Sequence, residues 1–391
     1  MKPLCLMVVA VEPSGDALGA GLIAALRDRL GDGVRFVGVG GARMAEAGIV
    51  SPFDPASLAI IGVFNALHAY PTVLRRVDEA AALAARERPD AAILIDAWGF
   101  NLRLARRLRR AVPGIRLIKY VAPQVWATRP GRARTLAGAV DHLLTIHAFD
   151  APTFRAAGLP TTFVGNPVLS FTPSIEPSVQ FRTRLRIPLD APVLAIFPGS
   201  RTGEVRRLMG PFKDAIARLK AGQTDLRVII AAAEPVADQV RSNLAHWTVP
   251  VDVVEGEADR WALMRAATAA LACSGTVTTQ IAIAGCPMVV AYRLGPLTHA
   301  VALCLLRTKF ITLLNVAAGS FVAPERVQYA CTGKALARDL GALLSDPDRR
   351  DRQIVAQTAA LDLMRGGVEH PLEAAARAIA DIVESGKKAA S

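Results

Sequence analysis

Residues 3–21 read Pro3-Leu-Cys-Leu-Met-Val-Val-Ala-Val11, then Glu12-Pro-Ser-Gly-Asp16 and, after Ala17, Leu18-Gly-Ala-Gly21. Nine apolar residues in a row, closed by an acid and a glycine-bearing turn, form the pattern of a parallel strand buried on both faces. The run is short for a signal peptide and has no small-residue cleavage site, so it is read as a first strand entering a helix over about 16–30. The same alternation continues along the chain. Strand-like runs fall at 34–39, 91–96, 115–121 and 142–147, and helical patterns at 56–88, 100–111 and 129–139. Strands separated by helices of this length imply βαβ units and a parallel sheet.

From about 166 to 190 the chain becomes rich in Pro and Ser and loses both periods, starting as Asn166-Pro-Val-Leu-Ser-Phe-Thr-Pro. A second alternation follows, with strands at 193–197, 227–232, 250–254, 269–272 and 287–291. The fold class expected is therefore α/β, with two doubly wound parallel-sheet domains facing a cleft. The expected division is 1–170, a linker at 171–190, 191–365, and a C-terminal helix in 366–391 that returns to the first domain. A length of 391 residues suits two such domains of about 190 residues each.

Hydrophobic residues at 52% against 20% charged exclude a disordered or low-complexity chain. A formal charge of +12 points to an anionic partner: nucleic acid, a phospholipid surface or a phosphorylated substrate. Aromatics are only 5% and no basic stretch interleaves with stacking platforms, so nucleic acid is not expected. Cys5, Cys273, Cys286, Cys304 and Cys331 form no CxxC pair, which argues against disulfides and zinc and for a reducing cytoplasm. Residues 266–292 carry no charge, but their Gly, Ser, Thr and Pro residues divide them into strand, turn, helix and strand, so no membrane span is expected.

In open α/β sheets ligands bind beyond the carboxyl ends of the strands, and the turns there are unusual. Glu12 to Gly21 is either an anion-receiving helix start or a tight turn with an ordinary cap. Asp96, in Asp96-Ala-Trp-Gly-Phe-Asn101, is either a cap for the next helix or a general base at the cleft. Pro198-Gly-Ser-Arg-Thr-Gly-Glu204 places a Gly-Ser turn and an arginine at a helix start, a diphosphate cradle without the GK[ST] of a P-loop. Ser274-Gly-Thr-Val-Thr-Thr-Gln280 repeats the arrangement.

Taken in order, these turns resemble the lipid-A-disaccharide synthases, inverting glycosyltransferases of the GT-B architecture with two Rossmann-like domains. Further matching stretches are Phe36-Val-Gly-Val-Gly-Gly41, Tyr120-Val-Ala-Pro123 with Val125-Trp-Ala127, Phe163-Val-Gly165, Pro287-Met-Val-Val-Ala-Tyr-Arg293, and Asn315 with Pro324-Glu325. The resemblance covers nearly the whole chain. It implies transfer of 2,3-diacylglucosamine from its UDP derivative to 2,3-diacylglucosamine 1-phosphate, giving a β(1→6) disaccharide monophosphate and UDP.

The resemblance also implies roles. Asp96 is the expected base and Glu12 the rival carboxylate. Gly199, Ser200, Arg201, Ser274, Gly275, Thr276, Gln280, Asn315, Glu325 and Gln328 would hold the UDP-sugar. Ser14, Asp16, Asn101, Trp126 and Arg293 would hold the acylated acceptor. No metal or other cofactor is expected, since no DxD stands at a strand end. Acylated substrates place the expected enzyme on lipids at the cytoplasmic face of the inner membrane, without crossing it, and a homodimer is compatible with the family. The uncharged stretch 294–306 and the cluster Arg103, Arg106, Arg107, Arg109 and Arg110 are the candidate membrane contacts, each equally readable as core helix or solvated face.

Positions that depart from the family pattern include Gly99, Thr128, Asn166, Leu314, Ser320 and Gln280, the last standing where the resemblance implies a ribose-binding glutamate. Three alternatives rest on them: a paralogue with another UDP-sugar or lipid acceptor, a catalytically weak lipid-binding protein, and a UDP-sugar epimerase of the same architecture.

Overall fold

The computed structural model describes residues 3–59, 66–125, 131–170, 176–295, 299 and 308–388. The chain divides into two compact units, Met1–Ser170 with Arg365–Ser391, and Phe171–Met364. The first is built on a parallel sheet of β1 (Leu4–Val9), β2 (Val34–Val39), β3 (Ala91–Ile95), β4 (Arg116–Tyr120), β5 (His142–Thr145) and β6 (Thr161–Phe163). Their order in the sheet is β2-β1-β3-β4-β5-β6. β3 pairs with β4 so that Ile95 lies opposite Tyr120, which brings the carboxyl ends of the two central strands level.

Helices cover both faces of this sheet, as its doubly apolar strands require. On one face Leu94, Leu117 and Leu143 pack with Val77, Ala80 and Ala84 of the helix Ala66–Glu87 and with Leu104 and Leu108 of the helix Trp98–Ala111. On the other, Leu22, Ile23 and Leu26 of the helix Pro13–Leu30 meet Ala375, Ala376, Ile379 and Val383 of the C-terminal helix Pro371–Lys388. Each large apolar side chain buried this way stabilises the unit by roughly 1.5–3 kcal/mol before entropy is counted. The glycines of Leu18-Gly-Ala-Gly21 serve this packing. A Cβ on Gly19 would lie 2.6 Å from Met44 Sδ, and one on Gly21 2.9 Å from Leu372 Cδ1.

The second unit repeats the plan with β7 (Val193–Phe197), β8 (Arg227–Ala232), β9 (Asp252–Glu255), β10 (Ala269–Cys273), β11 (Met288–Tyr292) and β12 (Glu325–Val327), ordered β12-β11-β10-β7-β8-β9 and parallel throughout. The uncharged stretch 266–292 is thus strand, turn, the helix Thr276–Ile283, and strand. Among the described residues no helix is long and apolar enough to cross a membrane.

Three differences from the sequence reading stand out. Residues 171–175 of the expected linker lie outside the described residues, but 176–190 is built into the second unit. It contains the helix Ser178–Arg184, with Phe181 fully buried and Arg182 donating to the carbonyls of Ala191 and Ala266. The three-residue edge strands β6 and β12 are absent from the list of apolar runs, because they are too short and too polar to register as such. Trp126, Thr128, Cys304 and nearly all of 296–307, including most of the candidate interfacial helix, lie outside the described residues.

Candidate active site

In the second unit the chain leaves β7 through Gly199, whose φ is +106°, a value open to glycine but strained for other residues. A Cβ there would lie 2.5 Å from Glu204 Oε2. Glu204 is buried in the first turn of the helix Thr202–Gly222, accepts from the Ser200 amide at 3.3 Å and pairs with Arg201 Nη1 at 3.1 Å. The Arg201 side chain is 80% exposed, so this pair adds little stability, and its effect is to aim the guanidinium. The neighbouring strand β10 ends in Ser274 and Gly275, which open the helix Thr276–Ile283, and Ser274 Oγ donates to the Ile311 carbonyl at 2.9 Å.

These two turns enclose a cavity of about 330 Å³ lined by Gly199, Ser200, Arg201, Glu204, Ser274, Gly275, Thr276 and Gln280, together with Arg260 and Cys273. Seven of the ten residues expected at the nucleotide sugar therefore share one cavity. Two helix starts, with Arg201 and Arg260 against the one carboxylate of Glu204, give the cavity a lining that suits an anionic ligand. Arg260 carries no signal in the sequence, where it reads as an ordinary residue of the helix Glu257–Ala266. Its Nε is buried without a hydrogen-bond partner, and a guanidinium with a donor to spare suits an anionic ligand. Burial pushes the Cys273 thiol at the cavity wall upward, so it stays protonated.

Asn315, Glu325 and Gln328 are not among the residues lining that cavity. Asn315 is fully buried. It donates to the Ala323 carbonyl and to Glu325, and accepts from the amides of Val322 and Ala323. Glu325 in turn accepts from the amides of Ile311 and Thr312 and from the Thr312 hydroxyl. The pair ties down the segment 311–325. Gln328 accepts from the Leu294 amide at 2.6 Å, and Arg293 donates to the Cys331 carbonyl.

In the first unit the strand ends hold Asp96. Asp96 and Ala97 have φ of +45° and +40°, and Val121, just past β4, has +72°. Three left-handed residues without glycine on adjacent strand ends are strained, at about 1–3 kcal/mol each, and need support. The support is visible. Asp96 N donates to the Tyr120 carbonyl at 2.9 Å, and Asn101 Nδ2 donates to the carbonyls of Ile95 at 2.7 Å and Asp96 at 2.9 Å. Asn101, expected at the acceptor, is buried and acts on the main chain. Lys119 lies in this cluster too, 3% exposed. Its ammonium donates to the carbonyls of Leu94, Asp96 and Tyr120. Burial pulls it down to about 7, against the opposing pull of Asp96 and then Glu12. The Asp96 side chain does not cap the helix Trp98–Ala111, whose N-cap is Ala97.

Glu12 and Ser14 are exposed at the start of the helix Pro13–Leu30. Asp16 is buried and its oxygens accept from the amides of Gly41 at 2.7 Å, Arg43 at 2.9 Å and Met44 at 3.2 Å, capping the helix Ala42–Glu46. Two of the departures from the family pattern have a local account. Asn166 Oδ1 accepts from the Val168 amide at the start of the helix Pro167–Ser170, and a Cβ on Gly99 would meet only Arg103 Nη1, at 3.7 Å. Ser320 is exposed. Of the arginine cluster, Arg107 pairs with Asp78, Arg109 with Asp141, and Arg103 lies over the Tyr70 ring.

Two doubly wound parallel sheets, with a cavity at the strand ends of the second, define the GT-B architecture. The fold matches the UDP-GlcNAc 2-epimerase of Neisseria meningitidis bound to UDP-GlcNAc (TM-score 0.64, 13% identity, 96% of this chain and 99% of that one). It also matches a glycosyltransferase from Rickettsia africae (TM-score 0.60, 10% identity, 99% and 100%). In sequence, residues 6–379 match the lipid-A-disaccharide synthetase family. The chain is 41% identical to the lipid-A-disaccharide synthase of Rhodospirillum centenum over 98% of this chain and 96% of that protein. The chain belongs to the lipid-A-disaccharide synthase family.

Proposed function

We propose that the chain carries out the family's hexosyl transfer, from UDP-2,3-diacylglucosamine to the 6-hydroxyl of 2,3-diacylglucosamine 1-phosphate. The observation that carries this reading is the single cavity uniting the Gly199–Arg201 turn, the Ser274–Thr276 helix start and Gln280. The whole-chain identity of 41% to a named synthase weighs against the epimerase, paralogue and lipid-binding alternatives.

In the transfer, a carboxylate takes the proton of the acceptor 6-hydroxyl as its oxygen bonds to the anomeric carbon. The bond from that carbon to the diphosphate breaks, and the electron pair departs on UDP. Attack opposite the leaving group inverts the centre and gives the β(1→6) product. We assign the proton to Asp96, with Glu12 as the second carboxylate of the same strand-end cluster. Arg201, Arg260 and the amides at the two helix starts stabilise the negative charge that grows on the diphosphate. Gln280 takes a ribose hydroxyl, and the exposed Ser14 is available to the acceptor. The arginine face of the helix Trp98–Ala111 suits anionic lipid at the inner surface of the membrane that supplies both substrates.

The test is turnover of purified protein with both lipids in detergent micelles, followed by thin-layer chromatography. Product from the native chain, and a loss of at least about a hundredfold in Asp96→Ala, would support the reading. A preparation that binds UDP yet yields no disaccharide would redirect the assignment to another donor.

A further inference from the structure

The mechanism above makes no use of Lys119, although a lysine with 3% exposure is costly to bury. Its surroundings are specific. The ammonium is seated on three main-chain carbonyls, those of Leu94 and Asp96 at the end of β3 and of Tyr120 at the end of β4. One belongs to Asp96, the first of the left-handed pair Asp96–Ala97, one lies two residues before it, and the third accepts the Asp96 amide. The charges facing it are the carboxylates of Asp96 and Glu12. Two of the three carbonyls have a second donor. The Asp96 carbonyl also accepts from Asn101, and the Tyr120 carbonyl from Asp96 N. A cation that adds little to hydrogen-bond satisfaction and costs desolvation is better explained by what it does to Asp96.

We propose that Lys119 is a positioning residue for the transfer: its ammonium clamps the carbonyls around the strained Asp96–Ala97 turn, fixes the Asp96 carboxylate in place, and supplies positive charge beside it. This rests on Asp96 being the base. The clamp reaches Asp96 from the neighbouring strand, so it sets the turn independently of the helix that follows. The ammonium's hydrogen bonds run to the main chain, so its effect is expected on the rate of the chemical step and not on affinity.

The experiment uses the full chain with Lys119→Met, Lys119→Gln and Asp96→Asn. Lys119→Met removes both charge and donors at similar length. Lys119→Gln keeps an N–H donor without charge and guards against a Met variant that does not fold. The expected result is a fall in kcat of roughly tenfold to a hundredfold with KM for both lipids within about twofold. Thermal unfolding checks that each variant is folded at the assay temperature, so that the loss is read per folded molecule. A merely structural lysine predicts a different result: lower stability with kcat per folded molecule unchanged. That outcome, in whichever variant folds, overturns the proposal when Asp96→Asn is inactive. An active Asp96→Asn would instead overturn the assignment of the base, on which the proposal rests. A double variant of Lys119→Met with Asp96→Asn should be no slower than Asp96→Asn alone, and additive losses would also overturn it.

Discussion

The backbone at Gly199 and the carboxylate of Glu204 occupy one another's space: with φ at +106°, a side chain on residue 199 would begin 2.5 Å from Glu204 Oε2. The missing Cβ lets a buried carboxylate close against the turn, and that carboxylate takes the Ser200 amide and aims Arg201. Gly199→Ala should therefore fail twice. Left-handed strain and the clash lower stability by about 1–3 kcal/mol, and UDP affinity falls because the turn is displaced. Thermal unfolding and titration calorimetry with UDP measure the two effects separately. A variant with native affinity would detach the turn from the nucleotide.

Gln280 lies on the wall of the same cavity, where the family pattern has a glutamate. A hydroxyl bonded to a carboxylate gains about 1.5–3 kcal/mol, against about 0.5–1.5 for a neutral amide. Gln280→Glu should lower KM for the UDP donor roughly tenfold with kcat little changed. Initial rates across donor concentration decide this, and an unchanged KM would mean the ribose is held elsewhere.

The fold was legible in the sequence because strands buried on both faces must be written as uninterrupted apolar runs, as in Leu4–Val9 and Val193–Phe197. The edge strands β6 and β12 are half-buried triplets, Thr161-Thr-Phe163 and Glu325-Arg-Val327, and leave no such run. The cavity turns were legible as small residues at strand ends. Arg260 and Lys119 were not, because their significance lies in what surrounds them. Lys119 meets the carbonyls of Leu94 and Asp96 only through the pairing of β3 with β4. The available signal was a lysine one residue from the carboxyl end of the strand Arg116–Tyr120. Asn315, Asp16 and Asn101 were named through the resemblance, and what the sequence did not show is their hydrogen bonding to the main chain and, for Asn315, also to Glu325.

His147 gives the first unit a pH-dependent stability. It is buried against Phe149, and burial lowers it to about 4 from an ordinary value of 6.5. The unfolded chain therefore takes up a proton in a range where the folded one does not, so stability is full above about 6.5 and falls as pH drops toward 4. The loss attributable to this residue is up to about 3 kcal/mol. Denaturant melts at pH 7 and pH 4.5 should show it, and His147→Phe should remove most of the difference. An equal drop in that variant would assign the acid sensitivity to other groups, such as the similarly lowered His142.

Asp16 offers the sharpest separation of a fold role from a ligand role at the strand ends. Its carboxylate accepts from three amides, those of Gly41, Arg43 and Met44, and so joins the helix Pro13–Leu30 to the start of the helix Ala42–Glu46. Asp16→Ala leaves three amides without that acceptor and a buried void beside Gly41. By the cost of a lost helix cap and unsatisfied buried donors, the variant should be less stable by about 2 kcal/mol. Asp16→Asn keeps the shape and one good acceptor, and should lose less. If the carboxylate serves the fold alone, KM for the acceptor stays near native in Asp16→Asn, and activity follows the folded fraction. If it also grips the acceptor, KM rises in Asp16→Asn before stability does. Measuring acceptor KM and the melting temperature on the same preparations separates the two, because a helix cap has no means of changing affinity in the molecules that remain folded.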